Sequence, residues 1–163
     1  MSDSSRRGHS QSDPDSPSNG LSWTIALEAR FQNLDRARDF VAEAAAACGL
    51  EPAAVYAVQL AVDEAITNII EHAYGGECQE LVECTCRDTR QSLVIELRDC
   101  GQPFDPTIVP NPDLTSNLED RDIGGLGLYF MHEMMDEVSF QFYEDARAER
   151  NCNLLTMVKH KEN

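Results

Sequence analysis

Hydrophobic and polar residues follow two periodicities in the first half of the chain. Apolar residues alternate with polar or small ones over 21–28, which predicts a first strand. Apolar residues then recur at helical spacing over 33–48 and 51–74, which predicts two helices. A proline in the first turn suits the start of the second helix, and Gly75–Gly76 suits its end.

The second half of the chain contains mostly strand-like segments. Residues 80–87 and 92–99 predict a hairpin with a short polar turn between them. An apolar segment over 128–135 predicts a third helix. Two further strands are expected at about 136–143 and 152–160. Strands joined by hairpins predict a two-layer α+β sandwich, with a mixed, mostly antiparallel sheet and the helices on one face.

Two segments lack either periodicity. Residues 1–20 are rich in Ser, Asp, Pro and Gly, and we expect a disordered tail because they cannot bury enough apolar surface to offset their ordering entropy. Residues from about 101 to 124 form a long loop that contains four prolines. Structureless loops of this length inside a domain are typical of lids. We therefore expect one domain over 21–163, with a lid inside it.

Charge and composition exclude several function classes. The net charge is −16, so nucleic acid is not an expected direct partner, whereas a protein with a basic patch is. No apolar run reaches the roughly 18 residues of a membrane helix, and no signal peptide is present. We therefore expect a cytoplasmic protein that does not bind membranes.

Six cysteines raise the question of disulfides or a metal site. No pair has Cys-x-x-Cys spacing, so we do not expect a structural zinc site. In a cytoplasmic protein the thiols are expected to be reduced and partly buried.

The long helix carries a polar stripe as well as an apolar one. Glu64, Asn68 and Glu71 are three and four residues apart, so they share one face, which is nearly opposite to the apolar stripe. A carboxylate and an amide oxygen one turn apart can hold a hard cation and orient a water or hydroxyl. Taken alone, the stripe also fits an ordinary solvated face.

Two further motifs could bind parts of a ligand. Asp99 ends a strand and Gly101 follows; a carboxylate here can accept the amino group of adenine, and a glycine lets the ring approach the backbone. The same pattern also fits a plain turn. The second motif, over 124–127, opens the third helix, where free N–H groups suit phosphates. It also fits a flexible hinge, and its spacing matches neither a P-loop nor a dinucleotide-binding fingerprint. Its residues are Gly124, Gly125, Leu126 and Gly127.

In this order and on these elements, the motifs resemble a known family. Residues 64–74, 97–106, 124–128 and 135–138 look like the ATP-binding domain of bacterial anti-sigma-factor serine kinases. That family belongs to the wider superfamily of gyrase-type and histidine-kinase-type ATPases. The resemblance covers about residues 21–161.

The resemblance implies a role for each matching residue. Glu64 corresponds to the presumed general base that activates a serine hydroxyl, and Asn68 to the ligand of the magnesium that bridges the phosphates. Asp99 corresponds to the acceptor of the adenine amino group, with Gly101 shaping that pocket. Thr156 corresponds to a threonine in the water network beside adenine. ATP and Mg²⁺ are the implied substrate and cofactor.

The resemblance also implies which residues bind the phosphates, and this chain departs from the family at one of these positions. Gly125 and Gly127 would line the phosphates under the lid. Some kinases of the family carry an arginine just before these glycines, whereas Ile123 stands here and Arg121 lies two residues earlier. We keep Arg121 as a candidate phosphate contact. His72 and His132 are interpreted as structural and not as phosphate acceptors.

The implied function is that of a serine/threonine protein kinase. It would phosphorylate an anti-anti-sigma-type partner and sequester a sigma factor when that partner is absent. The alternative is a nucleotide-binding module that switches partners without transferring phosphate, which the loss of the arginine would favour. Homodimers are common in the resembled family, although nothing in this chain identifies a dimer surface.

Overall fold

A computed structural model describes residues 20–104 and 123–162 of the chain. The first 19 residues, where the tail is predicted, and most of the predicted lid lie outside the described residues. Strand β1 spans Ser22–Glu28, and a 3₁₀ turn over Phe31–Asn33 leads into helix α1, Leu34–Ala47. Helix α2 spans Pro52–Asn68 and continues as one π turn over Ile69–Ala73.

The remaining elements agree with the expected order. Strands β2 and β3 span Leu81–Asp88 and Ser92–Asp99. Helix α3 spans Ile123–Met134 and therefore begins five residues earlier than predicted. Strands β4 and β5 span Glu137–Asp145 and Arg150–His160, which leaves a shorter turn between them than the sequence predicts.

The five strands form one sheet in the order β1-β2-β3-β5-β4. Every neighbouring pair is antiparallel, so the expectation of a mixed sheet is wrong in that detail. Alternate strand residues share one core with the three helices, because successive side chains point to opposite faces of a sheet. The α+β two-layer architecture is thus confirmed.

Helix α2 is the central helix of this layer. Its inner residues are almost fully buried, and Gly75 and Gly76, both at positive φ, end the helical segment as predicted. The segment Pro52–Ala73 has 22 residues and contains an 18-residue window with a mean hydropathy of 1.3, so by length and composition it could cross a membrane, which the sequence reasoning had excluded. A core helix passes the same test, so this is weak evidence for a membrane span.

Candidate functional site

The polar stripe of α2 faces the third helix instead of solvent. A Cβ atom placed on Gly127 of α3 would lie 2.8 Å from Glu64 Oε2 and 3.6 Å from Asn68 Nδ2. Both side chains are half-buried, whereas Glu71 is exposed. The stripe therefore divides into an inner pair, Glu64 and Asn68, and an outer residue, Glu71, so it is not simply a solvated face. Asn68 lines the same cavity as the apolar residues beside it.

The surroundings of Glu64 favour its protonated form. Burial raises the pKa of the Glu64 carboxyl, and the negative charges of Asp63 and Glu71 raise it further. A carboxylate with a raised pKa is a stronger proton acceptor than one at the usual value. Glu64 thus lies against Gly127 in the second turn of α3, with a raised pKa.

Asp99 lies at the end of β3 with only 3% of its surface exposed. Asn153 Nδ2 and the Gly101 N–H each donate a hydrogen bond of 3.0 Å to Asp99 Oδ1. Burial raises the pKa of Asp99, while these two hydrogen bonds and the Arg98 charge act in the opposite direction. Within the described parts of the chain both hydrogen bonds fall on Oδ1, which leaves Oδ2 for an amino group.

Gly101 lies directly against the end of α2. A Cβ atom there would approach the Ala73 carbonyl oxygen to 2.5 Å, so no larger residue fits without moving the backbone. The next residue, Gln102, donates its N–H to the same oxygen at 2.7 Å. The π turn presents this carbonyl, and π turns within helices are frequent at functional sites. The turn after β3 is therefore attached to the helix that carries Asn68.

One cavity is lined by both Asn68 and Asp99. Its wall is mostly apolar with a few polar groups, as in sites that bind a flat aromatic ligand. The lining residues come from α2 with its π turn, the end of β3, α3, β4 and β5: Ala65, Asn68, Ile69, Ala73, Asp99, Phe104, Met131, Phe140, Gln141, Asn153 and Leu155.

The structure does not place Thr156 at this cavity. Asn153 and Leu155 of β5 face it, and because side chains alternate along a strand, Thr156 faces the other side of the sheet. Thr156 is paired there with Glu96 and Ser139. The role expected for Thr156 is therefore not supported by its position.

Asn153 is the pocket residue that the sequence reasoning missed. Besides Asp99, its Nδ2 contacts the Gln102 carbonyl at 2.8 Å, and its Oδ1 accepts the Phe104 N–H at 3.1 Å. It thereby attaches the first residues after β3 to β5. In the sequence, Asn153 is only an amide residue three positions before Thr156. Its pairing with Asp99 in the β3–β5 ladder is what identifies it as a pocket residue.

The glycine motif forms the first turns of α3 instead of a turn before it. Gly124, Gly125 and Gly127 are helical, and the first four N–H groups of a helix have no partner within it. Such a terminus suits anionic groups. Arg121 lies outside the described residues, as does the side chain of Leu126.

The donor set fits a magnesium ion held jointly with a nucleotide. In the residues that the structure describes, no cluster of three or more His, Cys, Asp or Glu side chains could hold a metal. Mg²⁺ in phosphate sites takes one or two protein oxygens and otherwise phosphates and waters. A lone amide oxygen on Asn68 beside a helix N-terminus matches that pattern.

The cysteines differ from the expectation of six reduced thiols. Cys100 and Cys152 form a disulfide, and their Cα atoms lie 4.0 Å apart. Cys100 follows Asp99 and Cys152 precedes Asn153, which are direct partners in the β3–β5 ladder, so the two cysteines are cross-strand neighbours. Cys48, Cys78, Cys84 and Cys86 are free.

The comparison with known proteins agrees with this geometry. A family model described as histidine kinase-like ATPase domain matches residues 27–159. The serine/threonine-protein kinase BtrW of Bordetella bronchiseptica is 34% identical over 105 residues, which cover 64% of this chain and 70% of BtrW. The serine-protein kinase RsbW of Listeria monocytogenes is 29% identical over 126 residues, which cover 74% of this chain and 80% of RsbW.

A solved structure shares the fold. The crystal structure of the RsbU and RsbW domains of Rv1364c from Mycobacterium tuberculosis superposes with a TM-score of 0.60 at 14% identity. The match covers 88% of this chain but 33% of that larger one.

Proposed function

Because the chain belongs to the histidine kinase-like ATPase family, we propose that it is an ATP-dependent serine/threonine protein kinase that acts on an anti-anti-sigma-type protein. One observation carries the proposal. A single cavity is lined by the buried carboxylate of Asp99 and by Asn68, and Glu64 lies one helical turn from Asn68 and against Gly127 of α3. The part of the site at Asp99 suits the adenine base of ATP, and the part at Asn68 and Glu64 suits its phosphates.

The inner end of the cavity binds adenine. Asp99 accepts the exocyclic amino group, and Asn153 holds the carboxylate in place through its amide. Gly101 keeps the backbone close enough for the ring to lie along it. Apolar residues such as Ile69 and Leu155 supply the flat surfaces on either side.

The outer end binds the phosphates. Backbone N–H groups at the start of α3 would donate hydrogen bonds to them, and the helix dipole favours their negative charge. Asn68 would hold Mg²⁺ through Oδ1. When bound, this ion neutralises charge on the phosphate oxygens.

Glu64 acts as the general base. Its carboxylate accepts the proton of the partner's serine hydroxyl while the serine oxygen forms a bond to the γ-phosphorus. The bond from that phosphorus to the β–γ bridging oxygen breaks, and ADP leaves with the electron pair. The raised pKa of Glu64 suits this proton transfer, since general bases work best when their pKa lies closer to the working pH.

The protein partners are proposed on the same basis. The chain would sequester a sigma factor when its anti-anti-sigma-type substrate is phosphorylated or absent. Its net charge of −16 favours a partner with a basic surface and disfavours nucleic acid. We propose a cytoplasmic location without membrane contact and a homodimer as its working state.

The test is phosphate transfer from labelled ATP with Mg²⁺ to the anti-anti-sigma-type protein encoded nearest to this chain. Glu64→Gln should lower transfer by about 10²–10⁴-fold while ADP affinity stays within a few-fold. The matched control is Glu43→Gln, which removes an exposed carboxylate from α1 and should transfer like the wild type.

Two results would contradict the proposal at different levels. If calorimetry finds no ATP or ADP binding, the nucleotide site itself is wrong. Tight binding without transfer to any candidate would leave the alternative, a nucleotide-binding module that switches partners without catalysis. The presence of Ile123 where some kinases of the resembled family carry an arginine favours this second candidate.

A further inference from the structure

Two cysteines flank the polar groups of the proposed adenine pocket. Cys100 follows Asp99, and Cys152 precedes Asn153. Their disulfide therefore joins β3 and β5 one residue away from the hydrogen bond between Asp99 and Asn153. Any change in this bridge acts on the position of that carboxylate.

The two sulfur atoms have different surroundings. Cys152 is fully buried, whereas Cys100 is partly exposed and can be reached by a small molecule. Arg98 Nη2 lies 3.5 Å from Cys152 Sγ. A guanidinium at this distance stabilises a thiolate, which is the reactive form in disulfide exchange.

Other cysteines lack this combination. Cys48, Cys84 and Cys86 are buried. Burial, with the neighbouring Asp88 carboxylate, raises the pKa of Cys48 to about 12, and a hydrogen bond to Cys84 together with burial raises that of Cys86. Thiols with raised pKa values in apolar surroundings are inert. Only the Cys100–Cys152 pair places a reachable sulfur beside a partner.

We propose that Cys100 and Cys152 are a redox-active pair that exchanges with low-molecular-weight disulfides such as glutathione disulfide, and that the bridge tightens nucleotide binding. The proposal rests on the nucleotide-binding function proposed above. Disulfides in reducing compartments are usually transient and redox-sensing, which fits a bridge at a ligand site.

The exchange balances in two steps. The Cys100 thiolate attacks one sulfur of glutathione disulfide, and glutathione leaves as a thiolate. The Cys152 thiolate then attacks Cys100 Sγ and expels the second glutathione thiolate. The two cysteines lose two electrons and two protons, and the glutathione disulfide is reduced to two glutathione molecules. An excess of thiol reverses both steps.

The bridge affects binding through preorganisation. With the disulfide intact, the turn that carries Gly101 is held against β5. After reduction the hydrogen bonds from Asn153 and from the Cys100 N–H to the Tyr74 hydroxyl remain, but the covalent link that fixes the Cys100 side chain to β5 is lost. Ordering one or two such groups on binding corresponds to an affinity loss of about threefold to tenfold.

The test uses the full chain, treated either with glutathione disulfide or with dithiothreitol. Alkylation and peptide mass spectrometry report the Cys100–Cys152 bridge, and calorimetry with Mg²⁺ and ADP reports affinity. We expect the bridge only after oxidation, an ADP dissociation constant about threefold to tenfold higher after reduction, and recovery on reoxidation. Cys100→Ser should bind ADP equally under both treatments, whereas the control Cys78→Ser should respond like the wild type.

Three results would overturn the inference. The first is that glutathione disulfide does not form the bridge. The second is equal ADP affinity of the oxidised and reduced wild type, with the bridge verified; this result leaves the proposed kinase function untouched. The third is no ADP binding in either state, which removes the nucleotide site and the inference with it. Because the wild type alone gives these answers, a poorly folded serine variant does not obscure them.

Discussion

Replacing Gly127 with alanine separates stability from catalysis in this site. The added methyl carbon would lie 2.8 Å from Glu64 Oε2, and 3.6 Å and 3.8 Å from the amide nitrogen and oxygen of Asn68. An ordinary contact is roughly 3.5 Å, so the Glu64 carboxylate must retreat by about 0.7 Å, while the amide needs little or no movement. The clash is with the end of a flexible side chain and not with backbone, so the fold can accommodate it.

The two consequences have opposite signs. Alanine in place of glycine within a helix stabilises it by up to about 1 kcal/mol. A misplacement of about 1 Å in a catalytic group can lower the rate by about 10²-fold. We therefore expect Gly127→Ala to unfold at the same or a higher urea concentration, to bind ADP with similar affinity, and to transfer phosphate roughly 10- to 100-fold more slowly.

The assay pairs urea unfolding with single-turnover transfer from labelled ATP, so that partner binding and product release do not mask the chemical step. A variant that is stable and transfers phosphate at the wild-type rate would refute the placement of Glu64 as the base beside α3. A loss of several kcal/mol of stability would instead show that the first turns of α3 are packed more tightly than this geometry indicates.

Further predictions address the other parts of the site. Gly101→Ala should lose about 1–3 kcal/mol in urea unfolding and also bind ADP more weakly, because its Cβ would meet the Ala73 backbone; wild-type stability would contradict this contact. Asp99→Asn should weaken ADP binding in calorimetry by about 10- to 100-fold, since it removes a charged acceptor; unchanged affinity would show that adenine binds elsewhere. Because the pKa of Asp99 is raised on folding, the folded state binds protons more tightly, so this group's contribution to stability falls as pH rises from the ordinary value of 3.8 through the raised value. The urea midpoint of the wild type, measured relative to that of Asp99→Asn, should therefore decrease as pH rises across that range, and a constant difference would contradict the shift. The raised pKa of Glu64 predicts that transfer increases with pH as the base loses its proton, and that Glu64→Gln abolishes this dependence. Chelation of Mg²⁺ should abolish transfer, and Asn68→Ala should raise the Mg²⁺ concentration needed for half-maximal rate; an unchanged requirement would remove Asn68 as the ligand.

Local chemistry was readable from the sequence because it depends on neighbours in the chain. Helical and strand periodicity predicted every α-helix and strand of the described residues to within a few residues, except that α3 begins earlier, but it predicted neither the 3₁₀ turn nor the π turn. The glycine motif is part of that helix because glycines tolerate helical φ and ψ when the following turns are strongly apolar. The spacing of Glu64 and Asn68 needed no tertiary information, since one helical turn separates them.

The disulfide and the choice of pocket residues were decided only by the tertiary structure, because they depend on which elements pack together. The disulfide joins residues 52 apart, and no cysteine spacing predicts it, because the β3–β5 ladder creates the neighbourhood. The same ladder places Asn153, and not Thr156, at the pocket. Both residues belong to a strand that was predicted correctly. Side chains alternate between the two faces of a strand, so the face on which each residue lies depends on the pairing register and on which side of the sheet the helices cover. The sequence determined the chemistry that this protein can carry, and the packing of α2, α3 and β5 determined which of those groups share one cavity.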